Sequence, residues 1–359
     1  MVAANMMLNI FVYRFRKRNM KNNIYLICLL IFLMGCESDQ DEADRFFVKG
    51  NVALEESKND EAIKMYNEAI AKNPELKEAY NNKGVALYRE GKLDEAIQAY
   101  SLVLSSVDPN YLDASRNRLE ALVEAKRFDQ MGPDLVIMDK FYPDSAFVDM
   151  TRGLIAVHRQ SFGLARKFFE RAISKEPGNV DPIVNIANLL YLDSKFEWSN
   201  EMLDSAERID PSEHSIYNTR SMILTAEGKY DEALLQVNKS LSMDQGNPFY
   251  LNNRGFTYIK MGELEKAKTD ITLSIQKDFK NGWAYRNRGI LFNLEKDYES
   301  AVRNFELAVK YNAGIKELHA NYGDALFQVG RKEDACSQWS ISIGMFENGA
   351  RDSFNKYCQ

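Results

Sequence analysis

The sequence predicts an all-α chain built from about nine helix–turn–helix repeats, and three observations carry this. First, residues 146–179 (AFVDMTRGLIAVHRQSFGLARKFFERAISKEPGN) hold small residues at places 8, 20 and 27: Gly153, Ala165 and Ala172. Second, the pattern recurs from starts at Ala43, Lys77, Leu112, Ala146, Val180, His214, Pro248, Gly282 and Lys316, with every step 34 residues except the second, which is 35. Third, place 8 reads Gly50, Gly84, Leu119, Gly153, Ala187, Ser221, Gly255, Gly289, Gly323, and place 20 reads Ala62, Ala96, Met131, Ala165, Ser199, Ala233, Ala267, Ala301, Ala335. Both columns are small everywhere except in the third unit. Antiparallel helices with axes ~8–10 Å apart need side chains without bulk where they cross. One such unit cannot bury its apolar face, so the units stack into a solenoid.

With Phe169 at place 24 and Pro177 at place 32, the unit resembles a tetratricopeptide (TPR) repeat, a helix–turn–helix of 34 residues. The resemblance implies a right-handed superhelical solenoid over residues 43–349, closed by a C-terminal capping helix over 350–359. It also implies that the first helix of each repeat lines a concave groove, largely through places 2, 5, 9, 12 and 13.

Ahead of the repeats, the first 36 residues carry five basic groups (Arg14, Arg16, Lys17, Arg18, Lys21) and no acids. Ile24 to Met34 is apolar, uncharged and 11 residues long, too short for the ~20 residues of a spanning helix. A short apolar run behind positive charge reads as a secretory signal peptide over residues 1–35. Met20-Lys21-Asn22-Asn23 would itself serve as a signal start, which would make residues 1–19 an upstream extension. The run ends in Leu33-Met34-Gly35-Cys36, which resembles a bacterial lipobox; Met34 is a looser fit than the usual small residue. That resemblance implies cleavage before Cys36, a diacylglyceryl group on its thiol, and attachment to the bacterial outer membrane on its periplasmic or outer face. Two acyl chains hold a protein stably where one binds marginally. Residues 36–42 then read as the lipidated cysteine and an acidic run, Glu37-Ser38-Asp39-Gln40-Asp41-Glu42, which is either a solvated tether or, by resemblance, an acidic export signal toward the outer face of the membrane.

In order, repeat one carries Asp60 and Glu61 and repeat two Asp94 and Glu95 at the start of their second helices, where negative charge meets the helix dipole favourably. Pro109, one place late, accompanies the 35-residue step. Repeat three is degenerate: Leu119 and Met131 replace small residues and Gly132-Pro133 falls early in its second helix. Proline is tolerated in a first turn, but deeper it would kink the helix, leaving either a widened helix pair or a hinge. Repeats four to eight are regular, with Phe162, Phe196, Tyr230, Leu264 and Tyr298 at place 17, expected to pack the bend between helices. Repeat nine has Gly323, Ala335 and Trp339.

No catalytic constellation stands out. His158, His214 and His319 lie far apart, with no neighbour at metal-ligand spacing, no phosphate loop is present, and no cofactor or metal is expected. Beyond Cys36 the chain has 41 basic against 52 acidic residues, which argues against nucleic acid, since phosphate binding needs a basic face. Cys28 leaves with the signal and Cys36 takes lipid, so Cys336 and Cys358 remain, an even number in an exported protein. Each lies 11 residues from Glu347, near the turn Glu347-Asn348-Gly349, and two helices folded about that turn would bring the sulfurs level as a disulfide.

The inner face is unusually apolar in the middle repeats. It offers Phe147, Met150, Leu154 and Val157, then Tyr191 and Leu192, Met222, Phe249, Phe256 and Ile259, and Trp283 and Ile290. Contiguous exposed apolar groups mark binding sites. Asn82, Asn117, Asn185, Asn253, Asn287 and Asn321 all hold place 6, where they would bond neighbouring backbone or the backbone of an extended ligand, the structural role being the expected one. A carboxylate clamp is not laid out in repeats one to three, where Arg89 and Arg116 are the candidates. The expectation is a non-enzymatic, lipid-anchored scaffold that holds an envelope protein or peptide in this groove and meets the membrane through its anchor alone. The rival reading is an accessory module of an envelope enzyme or carbohydrate-handling system, with aromatic residues as stacking platforms.

Overall fold

The computed structural model describes residues 38–358; the signal segment and Cys36 lie outside them. Among the described residues the chain forms nineteen α-helices and no strand. It divides between Thr151 and Arg152 into two compact units.

The first unit holds α1 (Asp39–Glu55), α2 (Asn59–Lys72), α3 (Lys77–Arg89), α4 (Leu93–Leu102), α5 (Leu112–Glu124), α6 (Gly132–Phe141) and the start of α7 (Ala146–His158). The acidic run after Cys36 is not a free tether from Asp39 onward. Ser38 caps α1: its Oγ accepts from the Asp41 N–H at 3.1 Å, and the Ser38 N–H donates to Asp41 Oδ2 at 3.2 Å. Asp39, Asp41 and Glu42 fill the first turn, where the helix dipole favours them. Lys72 on α2 pairs with Asp39 and Glu42. The solenoid therefore starts four residues earlier than place 1 of the repeat.

The 35-residue step has a structural cause. The end of α4 loosens into a π-helical turn, Val103–Val107, which takes up one extra residue without disturbing the α-helical register on either side. In repeat three a 3₁₀ turn at Phe128–Gln130 precedes α6, which opens at Gly132. Pro133 thus falls in the first turn, where its missing N–H has no intrahelical partner to lose.

The second unit continues with α8 (Phe162–Lys175), α9 (Asp181–Leu192), α10 (Phe196–Ile209), α11 (His214–Ala226), α12 (Tyr230–Met243), α13 (Pro248–Met261), α14 (Leu264–Lys277), α15 (Gly282–Glu295), α16 (Tyr298–Tyr311), α17 (Leu318–Gln328), α18 (Lys332–Gly344) and α19 (Arg351–Tyr357). In each repeat the odd-numbered helix packs on the even-numbered helix that follows. All nine residues at place 20, Met131 and Ser199 included, are fully buried. Ser199 remains compatible because its hydroxyl donates to the Ala187 carbonyl at 2.8 Å.

The glycines at place 8 have a more specific partner than helix proximity. A Cβ on Gly289 would stand 2.6 Å from the Phe305 ring, and one on Gly255 2.7 Å from Ile271. Gly50 meets Tyr66 in the same way, Gly84 meets Tyr100, Gly153 meets Phe169 and Gly323 meets Trp339. Each glycine is the floor on which the large place-24 residue of the facing helix rests.

A second pairing crosses the same helices. Arg254 on α13 grips Asp270 on α14 side-on, Nε to Oδ2 at 2.7 Å and Nη2 to Oδ1 at 2.9 Å. Arg118 and Asp134 repeat this at the equivalent places 7 and 23, and Arg288 donates to Asn304 at 2.6 Å. Asp134 is fully buried, and that burial pushes its pKa up against the pull of Arg118.

At the C-terminus, α19 lies on the last repeat. Tyr357 packs on Phe327, with ring centroids 4.3 Å apart, and stacks on the buried Trp339. Cys336 on α18 is bonded to Cys358, with Cα atoms 5.6 Å apart. The place-17 residues open the even-numbered helices. Phe196 stacks on Tyr191 at 5.9 Å, whereas Phe162 is 44% exposed.

Candidate functional site

The inner-face residues are positioned by the odd-numbered helices and fall into both units. In the first unit Phe147 and Met150 are half-buried on α7, and the Arg116 guanidinium lies over the Phe147 ring at 5.2 Å. Arg116 is also paired with Glu120, and Arg89 donates to the Leu54 carbonyl at 3.0 Å.

In the second unit Leu154, Tyr191, Met222, Phe256, Trp283 and Ile290 are half-buried, and Phe249 is 37% exposed. Ile259 is a correction: it is buried in the cluster formed with Ile271 and Leu291 and offers nothing to a ligand. The others keep one side on the core and the other open. At Ile259 the first helix of the next repeat covers place 12, through Ala284 and Leu291, whereas Tyr191 at the same place of repeat five stays half-buried.

The place-6 asparagines do not mainly bond backbone. Asn287 donates to the Asn252 side chain at 2.8 Å, Asn252 to Asn253 at 3.3 Å, and Asn253 to Asn218 at 2.9 Å. In the first unit Asn117 donates to Asn81, Asn81 to Asn82, and Asn82 to Asn51, which also receives the Tyr66 hydroxyl. These relays of side-chain amides run from one odd-numbered helix to the next. Asn185 and Asn321 instead bond carbonyls of their own helices. The dipeptides Asn81-Asn82 and Asn252-Asn253, at places 5 and 6, are the sequence signal for the relay.

The relay in the second unit ends on Arg286, a residue the sequence reading passed over. Arg286 is only 5% exposed and donates through Nη1 to Asn287 at 2.9 Å and through Nη2 to Glu317 at 3.0 Å. Its guanidinium lies 5.1 Å from the centre of the Phe256 ring, and Lys260 approaches the same ring at 5.2 Å. Burial holds the Arg286 pKa below its usual value, with Glu317 opposing. Burial also raises the pKa of the Tyr191 phenol, which lies within electrostatic reach of both Arg286 and Glu317. Within this unit the early and late repeats therefore approach each other. The Gln160 side chain, at the end of α7, leaves no room for a Cβ at Gly314, between α16 and α17.

The histidines have packing partners. His214 bonds the Tyr250 hydroxyl at 2.7 Å, and His319 bonds Gln338 and the Ala313 carbonyl. Among the described residues no group of His, Cys, Asp or Glu could hold a metal ion, and no helix is long and apolar enough to cross a membrane.

Stacked helix pairs with small crossing residues define a helical-repeat protein. Tetratricopeptide repeat family models match at residues 47–111 and 250–280, so the chain carries tetratricopeptide repeats and has their solenoid fold. No curated protein matches it. Among solved structures, the APC/C hetero-tetramer Cut9–Hcn1 is similar at 13% identity, over 94% of this chain and 82% of that one, with a TM-score of 0.60. At that identity the likeness concerns the fold alone. MamA from Desulfovibrio magneticus RS-1, residues 41 to the end, is similar at 17% identity over 48% of this chain and 97% of that one, with a TM-score of 0.44. The MamA RS-1 ArsTM double mutant gives 18%, 48%, 96% and 0.44.

Proposed function

We propose that this protein is a non-enzymatic scaffold, anchored by lipid on Cys36 at the bacterial outer membrane, which holds an envelope protein or peptide on the inner helices of its repeats. Tetratricopeptide folds are typical of protein–protein interaction scaffolds, and the matched repeats support that class. The single observation that carries the reading is the lining of the second unit. Apolar side chains there stay half-open beside amide groups, so a partner can bury apolar surface without stranding the polar relay. Support for the anchor is the lipobox-like Leu33-Met34-Gly35-Cys36 behind a short apolar run.

The test is partner recovery from detergent-solubilised envelope with the wild-type chain and with Met222→Ala, Phe256→Ala and Trp283→Ala. These variants should lose the partner while keeping circular-dichroism spectra and cooperative melting. Unchanged recovery by all three removes the inner face as the binding surface. Intact-mass measurement of the mature protein addresses the anchor separately: an unmodified N-terminus at a residue other than Cys36 rules it out.

A further inference from the structure

Arg286 is buried and is held differently from the half-buried Arg118 and Arg254. Arg118 and Arg254 both use the Nε–Nη2 edge to grip one carboxylate side-on, the geometry in which a guanidinium binds an anion most strongly. At Arg286 the same edge is half used. Nη2 meets Glu317, while Nε is buried and has no hydrogen-bond partner among the described residues. A buried guanidinium with an unfilled donor is costly, and one carboxylate lying side-on would fill it.

Glu317 is poorly placed to do so. Its side chain is 55% exposed, and its backbone is left-handed, with φ 61°, a conformation that side chains other than glycine rarely adopt. Its N–H is held by Glu347 Oε1 at 2.7 Å, and Glu347 is itself held by Ser342. The residue is thus fixed at the mouth of α17 and reaches Arg286 with one oxygen. Lys260 on the Phe256 ring adds a second cation. Two cations, Arg286 and Lys260, and two carboxylates, Glu317 and Glu347, thus meet on an otherwise apolar and amide-lined face, and the buried guanidinium is satisfied only in part.

We propose that the inner face of the second unit takes a carboxylate of an extended polypeptide at Arg286, and that Glu317 is the internal group this carboxylate displaces. The proposal rests on the reading that this face binds a partner, and it names the chemistry of that partner. An extended chain is favoured because the early and late repeats of this unit close on each other, the end of the Gln160 side chain lying against Gly314. A helix about 10–12 Å across with its side chains needs more width than an extended strand.

The probe is a fluorescein-labelled decapeptide of alternating leucine and glutamate, N-acetylated and C-terminally amidated, compared with its leucine–glutamine counterpart by fluorescence anisotropy on the full chain. Wild type should prefer the acidic peptide. Glu317→Gln removes the competing charge and keeps an acceptor near Nη2, so it should tighten the acidic peptide about tenfold, the scale of a charge-assisted bond, and leave the glutamine peptide unchanged. Arg286→Met should reduce the acid preference to unity. If that variant does not fold, the Glu317→Gln arm still decides. Equal binding of both peptides by wild type and by Glu317→Gln overturns the carboxylate site and leaves the groove standing. Failure of both peptides to bind overturns the carboxylate site and the groove reading together.

Discussion

In repeat eight Gly289 leaves space for Phe305, which rests fully buried on the facing helix. In repeat three the equivalent places hold Leu119 and Leu135, with Met131 where every other repeat has alanine or serine, and all three are buried. The rest of the series grades between these: Ala187 with Leu203 in repeat five, and Ser221 with Val237 in repeat six, again all buried. In repeats five and six the larger residue at place 8 is offset by a smaller one at place 24, so small residues at place 8 are half of a pair. Repeat three is different: Leu119, Leu135 and Met131 put more side-chain volume into the crossing, and all three are still buried. Repeat three also keeps the Arg–Asp grip across its helices, through Arg118 and Asp134, whereas repeat eight uses Arg288 with neutral Asn304.

The sharpest way to separate the two repeats is to remove one partner of the buried ion pair. Arg118→Met leaves Asp134 uncompensated in the interior and should lower stability by about 3–5 kcal/mol, measured by urea denaturation. Arg288→Met faces only an asparagine and should cost clearly less. Equal losses would mean that the charge in repeat three contributes nothing special.

Phe305→Ala should cost about 3–5 kcal/mol, and Leu119→Ala about 2–5 kcal/mol, because each opens a cavity in a packed crossing. If Leu119→Ala is neutral, repeat three is loosely packed.

Reduction of the Cys336–Cys358 bond, or Cys336→Ser, should remove about 3 kcal/mol by the loop-closure model, read as a lower melting temperature. Proteolysis should then begin at α19, which otherwise holds to the last repeat through Tyr357 on Phe327 and Trp339. An unchanged melting temperature would show that the aromatic contacts suffice.

Gly289→Ala should destabilise by about 1–3 kcal/mol, since Phe305 must shift. Adding Phe305→Leu should recover part of the loss and reproduce the Ala187–Leu203 pairing of repeat five. A double-mutant cycle with no coupling would show that places 8 and 24 do not act as a volume pair.

The smallest effect is expected for Asp134→Asn, the exchange that repeat eight already displays. Burial raises the Asp134 pKa above its ordinary value, so as pH falls the folded chain takes up this proton before the unfolded chain does. Between the unfolded and folded pKa values the folded state binds more protons, and the wild type gains stability relative to Asp134→Asn as pH falls. At neutral pH the two should lie within about 1 kcal/mol. Urea midpoints at neutral and mildly acidic pH give the sign directly.

The period of 34 residues, the small columns and the helix starts at Lys77, Leu112, Ala146, His214, Pro248 and Gly282 were all legible in the sequence, because they are local consequences of one repeated packing unit. Two local features were legible and passed over: Ser38 three residues before Asp41, which begins α1 early, and the paired asparagines at places 5 and 6. The even cysteine count and the turn at Glu347-Asn348-Gly349 pointed to Cys336 and Cys358 for the same reason of locality. What only the tertiary structure decided depends on contacts between repeats or across a crossing. The π turn after α4 absorbs an insertion that the sequence records as a shifted proline. Ile259 left the lining because a neighbouring helix covers it, and no pattern within one helix tells which side of place 12 is covered. Arg286 became a candidate because its burial, its open Nε and the reach of Glu317 are set by three successive repeats and by the approach of Tyr191 from a fourth, distances that a one-dimensional period does not encode.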